Sequence, residues 1–186
     1  MCKQGAFASY VLYISEGLVK LYLENNNQKI TNVQLLQSGS FIGLSSVFGK
    51  NIYNYSVVAL KNSEVCLIEK EGLRNLLEKN GLFASSVIKN YSNTEAYLFE
   101  KLKSLSYKQM NGRIADALLY LSDNSIFDEN IFPYLSRKDL ADFACVSTES
   151  TVKILGELKT EGIIDMKGKT IDILEPERLK QISRLG

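Results

Sequence analysis

Histidine is absent from this chain of 186 residues. That absence removes Ser-His-Asp and Cys-His nucleophiles, His-based zinc sites and the commonest general base at neutral pH. Cysteine is scarce: Cys2, Cys66 and Cys145 stand far apart, with no C-x-x-C pair among them. Neither a disulfide framework nor a zinc ribbon is expected, only the reduced thiols of a cytoplasmic protein. Long apolar runs are also missing. The longest near the start, Tyr10 to Ile14, is far too short for a membrane span or a signal-peptide core. Nor does one charge dominate. With 22 Lys+Arg against 21 Asp+Glu, the net charge of +1 excludes a polycationic tail but not a local basic patch. What remains is an ordinary globular mixture, 45% hydrophobic and 23% charged, able to bury a core in one large domain or two small ones.

The pattern along the chain changes near residue 70. Before it, short runs rich in Val, Ile, Leu and Tyr alternate with turn signals. Tyr10–Ile14, Leu18–Leu23, Lys29–Leu36, Ser56–Leu60 and Glu64–Ile68 read as strands, separated by Glu16-Gly17, Asn25-Asn26-Asn27 and Ser38-Gly39-Ser40. Strands of this length joined by Gly and Asn turns imply an antiparallel sandwich or barrel. After residue 70 the period becomes helical. Lys70–Lys79 forms a short helix ended by Asn80-Gly81, and a longer one runs from about Leu82 to Ser106. In the long helix Ile88, Tyr91, Glu95, Leu98, Leu102 and Leu105 are spaced alternately by three and four residues, a heptad seam with one acid in it. The spacing fits a dimer coiled coil and intramolecular core packing equally well; Glu95 favours a wet, adjustable interface.

The last 80 residues carry the most informative pattern. Gly112–Ser122 is an apolar-periodic helix. Ser136 caps a helix through Ala144, with Asp139 at its third position; Ser147 caps another through Thr160, stopped by Glu161-Gly162. Residues 163–167 and 170–174 then form a hairpin around Gly168-Lys169, and Pro176 opens a final short helix. Two tight helices followed by a hairpin are the plan of a winged helix-turn-helix. The second helix begins with the small polar run Ser147-Thr148-Glu149-Ser150-Thr151, which lets it enter a major groove closely. Val152, Leu155 and Leu158 are expected to form its buried stripe. Glu149 can accept from a cytosine amino group, Thr148 can touch a base or a thymine methyl, and Lys153 can reach a guanine or a phosphate. A capped surface helix, with Glu149 serving only the helix dipole, remains the alternative. Residues 136–186 hold as many acids as bases, so phosphate binding depends on sorting. Arg137, Lys138, Lys153, Lys167 and Lys169 are expected on one face, doubled by a two-fold dimer.

These residues resemble the cyclic-AMP receptor protein/fumarate-nitrate regulator (Crp/Fnr) family of bacterial transcription factors. Gly17-Leu-Val-Lys-Leu-Tyr22, Gly39-Ser-Phe-Ile-Gly43 and Ser45-Ser-Val-Phe48 are similar to its β-roll effector domain. Asn111–Leu121 resembles the first helix of its DNA-binding domain, and Leu135–Asp142 and Gly162–Ile171 its helix-turn-helix and wing. The resemblance implies an α+β chain. It would comprise a jelly-roll, cyclic-nucleotide-binding-like domain over 1–81, a dimerisation helix over 82–106 and a winged helix-turn-helix over 107–186. It also implies that the chain begins inside the β-roll, without the family's first helix and strands. Base-reading positions carry over to Thr148, Glu149 and Lys153; from the polar run and the basic face, Arg137, Ser147, Ser150 and Lys169 are expected as further DNA contacts. Cys145 stands where the family has a turn glycine.

The implied function is a homodimeric, sequence-specific regulator that binds double-stranded DNA and works with RNA polymerase. The effector pocket departs from the family. Cyclic-nucleotide binders have Gly-Glu-Leu and Arg-Ser/Thr-Ala where this chain has Gly43-Leu44-Ser45 and Tyr55-Ser56-Val57. Both charged ligands are missing, and an unpaired buried phosphate is very costly, so no response to cyclic AMP is expected. An iron–sulfur sensor of the family's kind needs four thiolates, against three cysteines, and a haem cannot find a histidine ligand in this chain. The effector stays unidentified. With no clustered carboxylates and no phosphate loop, an enzyme has no supporting residues. The remaining alternative is a degenerate effector module that dimerises and acts through protein partners without reading DNA.

Overall fold

The computed structural model describes residues 1–25, 27 and 29–186; Asn26, within the expected asparagine turn, lies outside them. The β-rich half forms two three-stranded antiparallel sheets. Strands β1 (Tyr10–Glu16), β2 (Leu18–Glu24) and β3 (Ile30–Gln37) are followed by the short β4 (Phe41–Ile42), then β5 (Ser56–Ala59) and β6 (Glu64–Glu69). One sheet has the order β4-β1-β6 and the other β3-β2-β5. Consecutive β1 and β2 lie in different sheets because Gly17 turns the chain between them at φ +118, where a Cβ would strike Ser63 at 2.2 Å. Only glycine fits that turn. Ile14, Val19, Leu21, Ile42, Tyr53 and Val57 share the core between the sheets. A smaller cluster of Val11, Val47 and Leu73 takes in Leu44 and Phe83 at its edge.

Helix α1 (Lys70–Lys79) ends at Asn80, whose side chain accepts from the amide of Phe83 at 3.0 Å and so opens α2 (Gly81–Tyr107). The chain divides into two compact units, Met1–Leu98 and Phe99–Gly186. The second holds the last turns of α2, then α3 (Met110–Leu121), α4 (Arg137–Ala144), α5 (Thr148–Thr160), the hairpin β7 (Ile164–Lys167) and β8 (Thr170–Ile173), and α6 (Pro176–Leu185). Its core is built from Ile114, Leu118, Leu121, Phe132, Leu140, Phe143, Leu155, Ile164 and Ile171. Asp116 on α3 is a polar hub in this unit: it accepts from Ser104 of α2 and Ser183 of α6, both at 2.5 Å, and from Lys108 at 2.9 Å.

Candidate nucleic-acid interface

Helix α4 starts on a capping box. Ser136 Oγ accepts from the amide of Asp139 at 3.1 Å, and the Asp139 carboxylate accepts from the amide of Ser136 at 2.8 Å. It ends at Cys145, whose φ of 52 and ψ of 45 make it the left-handed cap that a glycine often supplies. Ser147 then caps α5, accepting from the amide of Ser150 at 3.1 Å. Helix, left-handed cap and second N-cap follow one another within four residues, which sets the tight turn between α4 and α5.

The buried stripe of α5 is Thr151, Ile154, Leu155 and Leu158. Val152 is not part of it, contrary to the sequence expectation: it is 52% exposed. At the helical step of 100°, Val152 points about 110° away from that stripe, towards Glu149, Lys153 and Gly156. The outer face of α5 therefore offers an acid, a branched apolar group and a base, beside a glycine whose missing side chain leaves open space. An exposed valine there can meet a thymine methyl. Counting from the caps, rather than from the nearest apolar residue, would have found it.

Charges around this face differ in their freedom. The Glu149 carboxylate is held below its ordinary pKa by its own amide and by the Ser147 hydroxyl, so it also serves the helix N-terminus. Lys153 is exposed, with only a loose 3.9 Å pair to Glu157, the kind of contact that yields readily to a better partner. Thr148 and Ser150 are half-exposed at the first turn, and Lys169 is exposed at the hairpin tip. Arg137 is committed within the protein: it donates to the carbonyl of Gly168 at 2.9 Å and approaches Met166 Sδ at 3.7 Å. Burial lowers its pKa. Lys159 likewise donates to the carbonyl of Met166 at 2.9 Å and pairs with Asp165 at 3.1 Å. These two cations hold the wing against the helices, while Lys167 shares Asp165 at 3.7 Å.

The residues expected around an effector are engaged with several different partners. The Gly43 amide donates to the Tyr55 hydroxyl at 3.0 Å, and the Tyr53 ring presses on Gly43, where a Cβ would meet it at 2.6 Å. Leu44 turns into the cluster of Val11, Val47 and Leu73. Ser45 Oγ accepts from Asn54 at 3.2 Å, whereas Ser56 Oγ accepts from the amide of Gln4 at 3.0 Å and donates to Glu24 at 3.4 Å. Burial pushes the Tyr55 phenol up to about 12.

On α2, Ile88 is 64%, Tyr91 51%, Leu98 42% and Leu102 58% exposed; Glu95 is exposed and Leu105 half-buried. Of the described residues of this 27-residue helix, only Ser104 is buried. Intramolecular core packing is therefore not what the stripe serves.

Two families match this chain: the one described as a cyclic nucleotide-binding domain over residues 1–80, and the Crp-like helix-turn-helix domain over residues 112–182. The anaerobic regulatory protein of Bacillus subtilis is 26% identical over 176 residues, covering 91% of this chain and 74% of that protein. The cAMP-activated global transcriptional regulator CRP of Salmonella typhimurium is 26% identical over 172 residues, covering 90% of this chain and 82% of its own length. Among solved structures, FixK2 from Bradyrhizobium japonicum shares the fold with a TM-score of 0.84 at 19% identity, over 98% of this chain and 91% of that one.

Proposed function

Because the chain belongs to the Crp/Fnr family of transcription regulators and carries its helix-turn-helix DNA-binding domain, we propose that it acts as a homodimer reading a pseudo-palindromic operator. Its relatives are transcription regulators, not enzymes. The observation that carries the sequence-specific part is the outer face of α5, where Glu149, Val152 and Lys153 stand exposed beside Gly156, which has open space where a side chain would be. Dimerisation is supported by the uncovered stripe Ile88, Tyr91, Leu98 and Leu102 on α2. A dimer reading such an operator would present its two recognition helices to half-sites ~34 Å apart, one duplex turn.

Cyclic AMP is not the effector in this reading. The Gly43 amide already has its acceptor in Tyr55, and Tyr55 itself stands where the family has its phosphate-binding arginine. Iron–sulfur and His-ligated haem sensing are set aside on the three cysteines and the missing histidine. Among the described residues no helix is long and apolar enough to cross a membrane. In this reading the regulator works with RNA polymerase in the cytoplasm, as its transcription-regulator relatives suggest.

The test is selection of duplexes from a randomised library by the full chain, followed by anisotropy titrations at several salt concentrations. A symmetric consensus, salt-dependent affinity and loss of specific binding in Glu149→Ala/Lys153→Ala support the reading. Dimers that select no sequence would point to a module acting through protein partners alone.

A further inference from the structure

Two cations from other helices converge on the turn between α4 and α5. Lys101 of α2 donates to the carbonyl of Phe143 at 3.0 Å and lies 5.2 Å from the centre of that ring. Arg113 of α3 donates to the carbonyl of Cys145 at 3.4 Å. Helix α4 has no basic residue in its own last turn, and its left-handed cap returns the amides of Cys145 and Val146 to the single carbonyl of Ala141. The carbonyls that this cap leaves over receive the two cations, which also complement the negative end of the helix.

Lys101 is an unusual choice for that task. Its acceptor is a neutral carbonyl, and the nearby acid, Asp116, is already engaged by Ser104, Lys108 and Ser183. An ammonium held this way adds little to folding, because an apolar side chain of similar volume would avoid its desolvation. Such a group contributes geometry. Lys101 also neighbours Leu102 in sequence, within the exposed stripe of α2.

We propose that Lys101 is a positioning residue for DNA recognition: its ammonium fixes the turn at Phe143–Cys145, and the last turns of α2 thereby set the pose of α5. The inference rests on the DNA-binding role of α5. The titratable groups that act on the ammonium are Asp116 on α3 and Cys145 at the turn, and the charged Arg113 of α3 reaches that same turn. Burial lowers the Lys101 pKa to about 8, with Cys145 and Asp116 opposing the shift. A neutral amine is a weaker donor and loses its attraction to the Phe143 ring. The hold on the turn therefore loosens as pH rises through that value.

The experiment compares the full-length wild type, Lys101→Met and Lys101→Arg on a duplex that the wild type selects from a randomised library. K101M should match or exceed wild-type thermal stability yet bind about tenfold more weakly at pH 7. It should also show faster amide exchange at Cys145, Val146 and Ser150. K101R should recover most of the affinity, and its binding should stay flat from pH 7 to 9.5 while that of the wild type declines. K101M with wild-type affinity and exchange overturns the proposal. So does a K101M that loses stability and affinity together while keeping the wild-type pH profile. If the wild type selects no duplex, the DNA-binding reading fails separately, and amide exchange in K101M still decides whether Lys101 holds the turn.

Discussion

The guanidinium of Arg137, on the first turn of α4, donates to the carbonyl of Gly168 at the tip of the wing, 2.9 Å away. One side chain therefore ties the start of the helix-turn-helix to the far end of the hairpin. Lys169, next along that tip, is presented on a support rather than on a free loop.

This tie gives Arg137 a testable signature. A phosphate contact contributes about 0.9 to the slope of log affinity against log salt. If Arg137 only braces the wing, Arg137→Ala weakens DNA binding severalfold but leaves that slope nearly unchanged, whereas Lys169→Ala lowers it. Anisotropy titrations across a salt series measure both. A drop of about one in the R137A slope would instead make Arg137 a direct phosphate ligand.

Cys145 is the only non-glycine residue with positive φ among the described residues. Left-handed backbone costs an L-residue about 1–2 kcal/mol, part of which glycine returns through its freer unfolded chain. Cys145→Gly should therefore stabilise the C-terminal unit by about 1 kcal/mol. Cys145→Val should destabilise it, because a β-branched residue tolerates this conformation least. Urea denaturation followed by circular dichroism checks both signs.

The stripe on α2 predicts its own disruption. Leu98→Asp places a carboxylate amid Tyr91, Glu95 and Leu102, where a second helix would have to desolvate it beside an acid already present. Sedimentation velocity should show a folded monomer, with specific DNA affinity reduced because the two half-sites then bind independently. Dimers retained in L98D would remove α2 as the pairing surface.

Local chemistry was legible in the sequence to different degrees. The Ser136 and Ser147 caps, the Gly162 stop and the Gly168 turn each depend on residues within four positions of one another, and the helices and hairpin begin and end within about two residues of where those signals put them. β4 escaped because two residues, Phe41 and Ile42, carry no period at all. Val152 faces outward despite its apolar side chain, because one helical step from Thr151 carries it off the buried stripe. The roles of Arg137 and Lys101 were hidden for a different reason. Their acceptors are backbone carbonyls 31 and 42 residues away, and a carbonyl leaves no mark on the identity of the residue that bears it.

The Tyr55 phenol offers the last test, because its place beside Gly43 affects both stability and ligand choice. Burial raises its pKa from 10 to about 12 in the folded chain. A group whose folded pKa lies above its unfolded value contributes stability that is fully present below pH 10 and is lost as pH rises towards 12. Tyr55→Phe removes that alkaline loss. It also leaves the buried Gly43 amide without its acceptor, at a cost of about 1–3 kcal/mol near neutral pH. The two stability curves should therefore converge as pH rises from 10 to 12, which chemical denaturation at stepped pH can follow. Isothermal calorimetry with cyclic AMP should show no binding heat for the wild type. It should show none for Y55F either, since freeing one amide supplies no cation for the phosphate. Curves that stay parallel would mean that Tyr55 is not the buried acceptor of this amide.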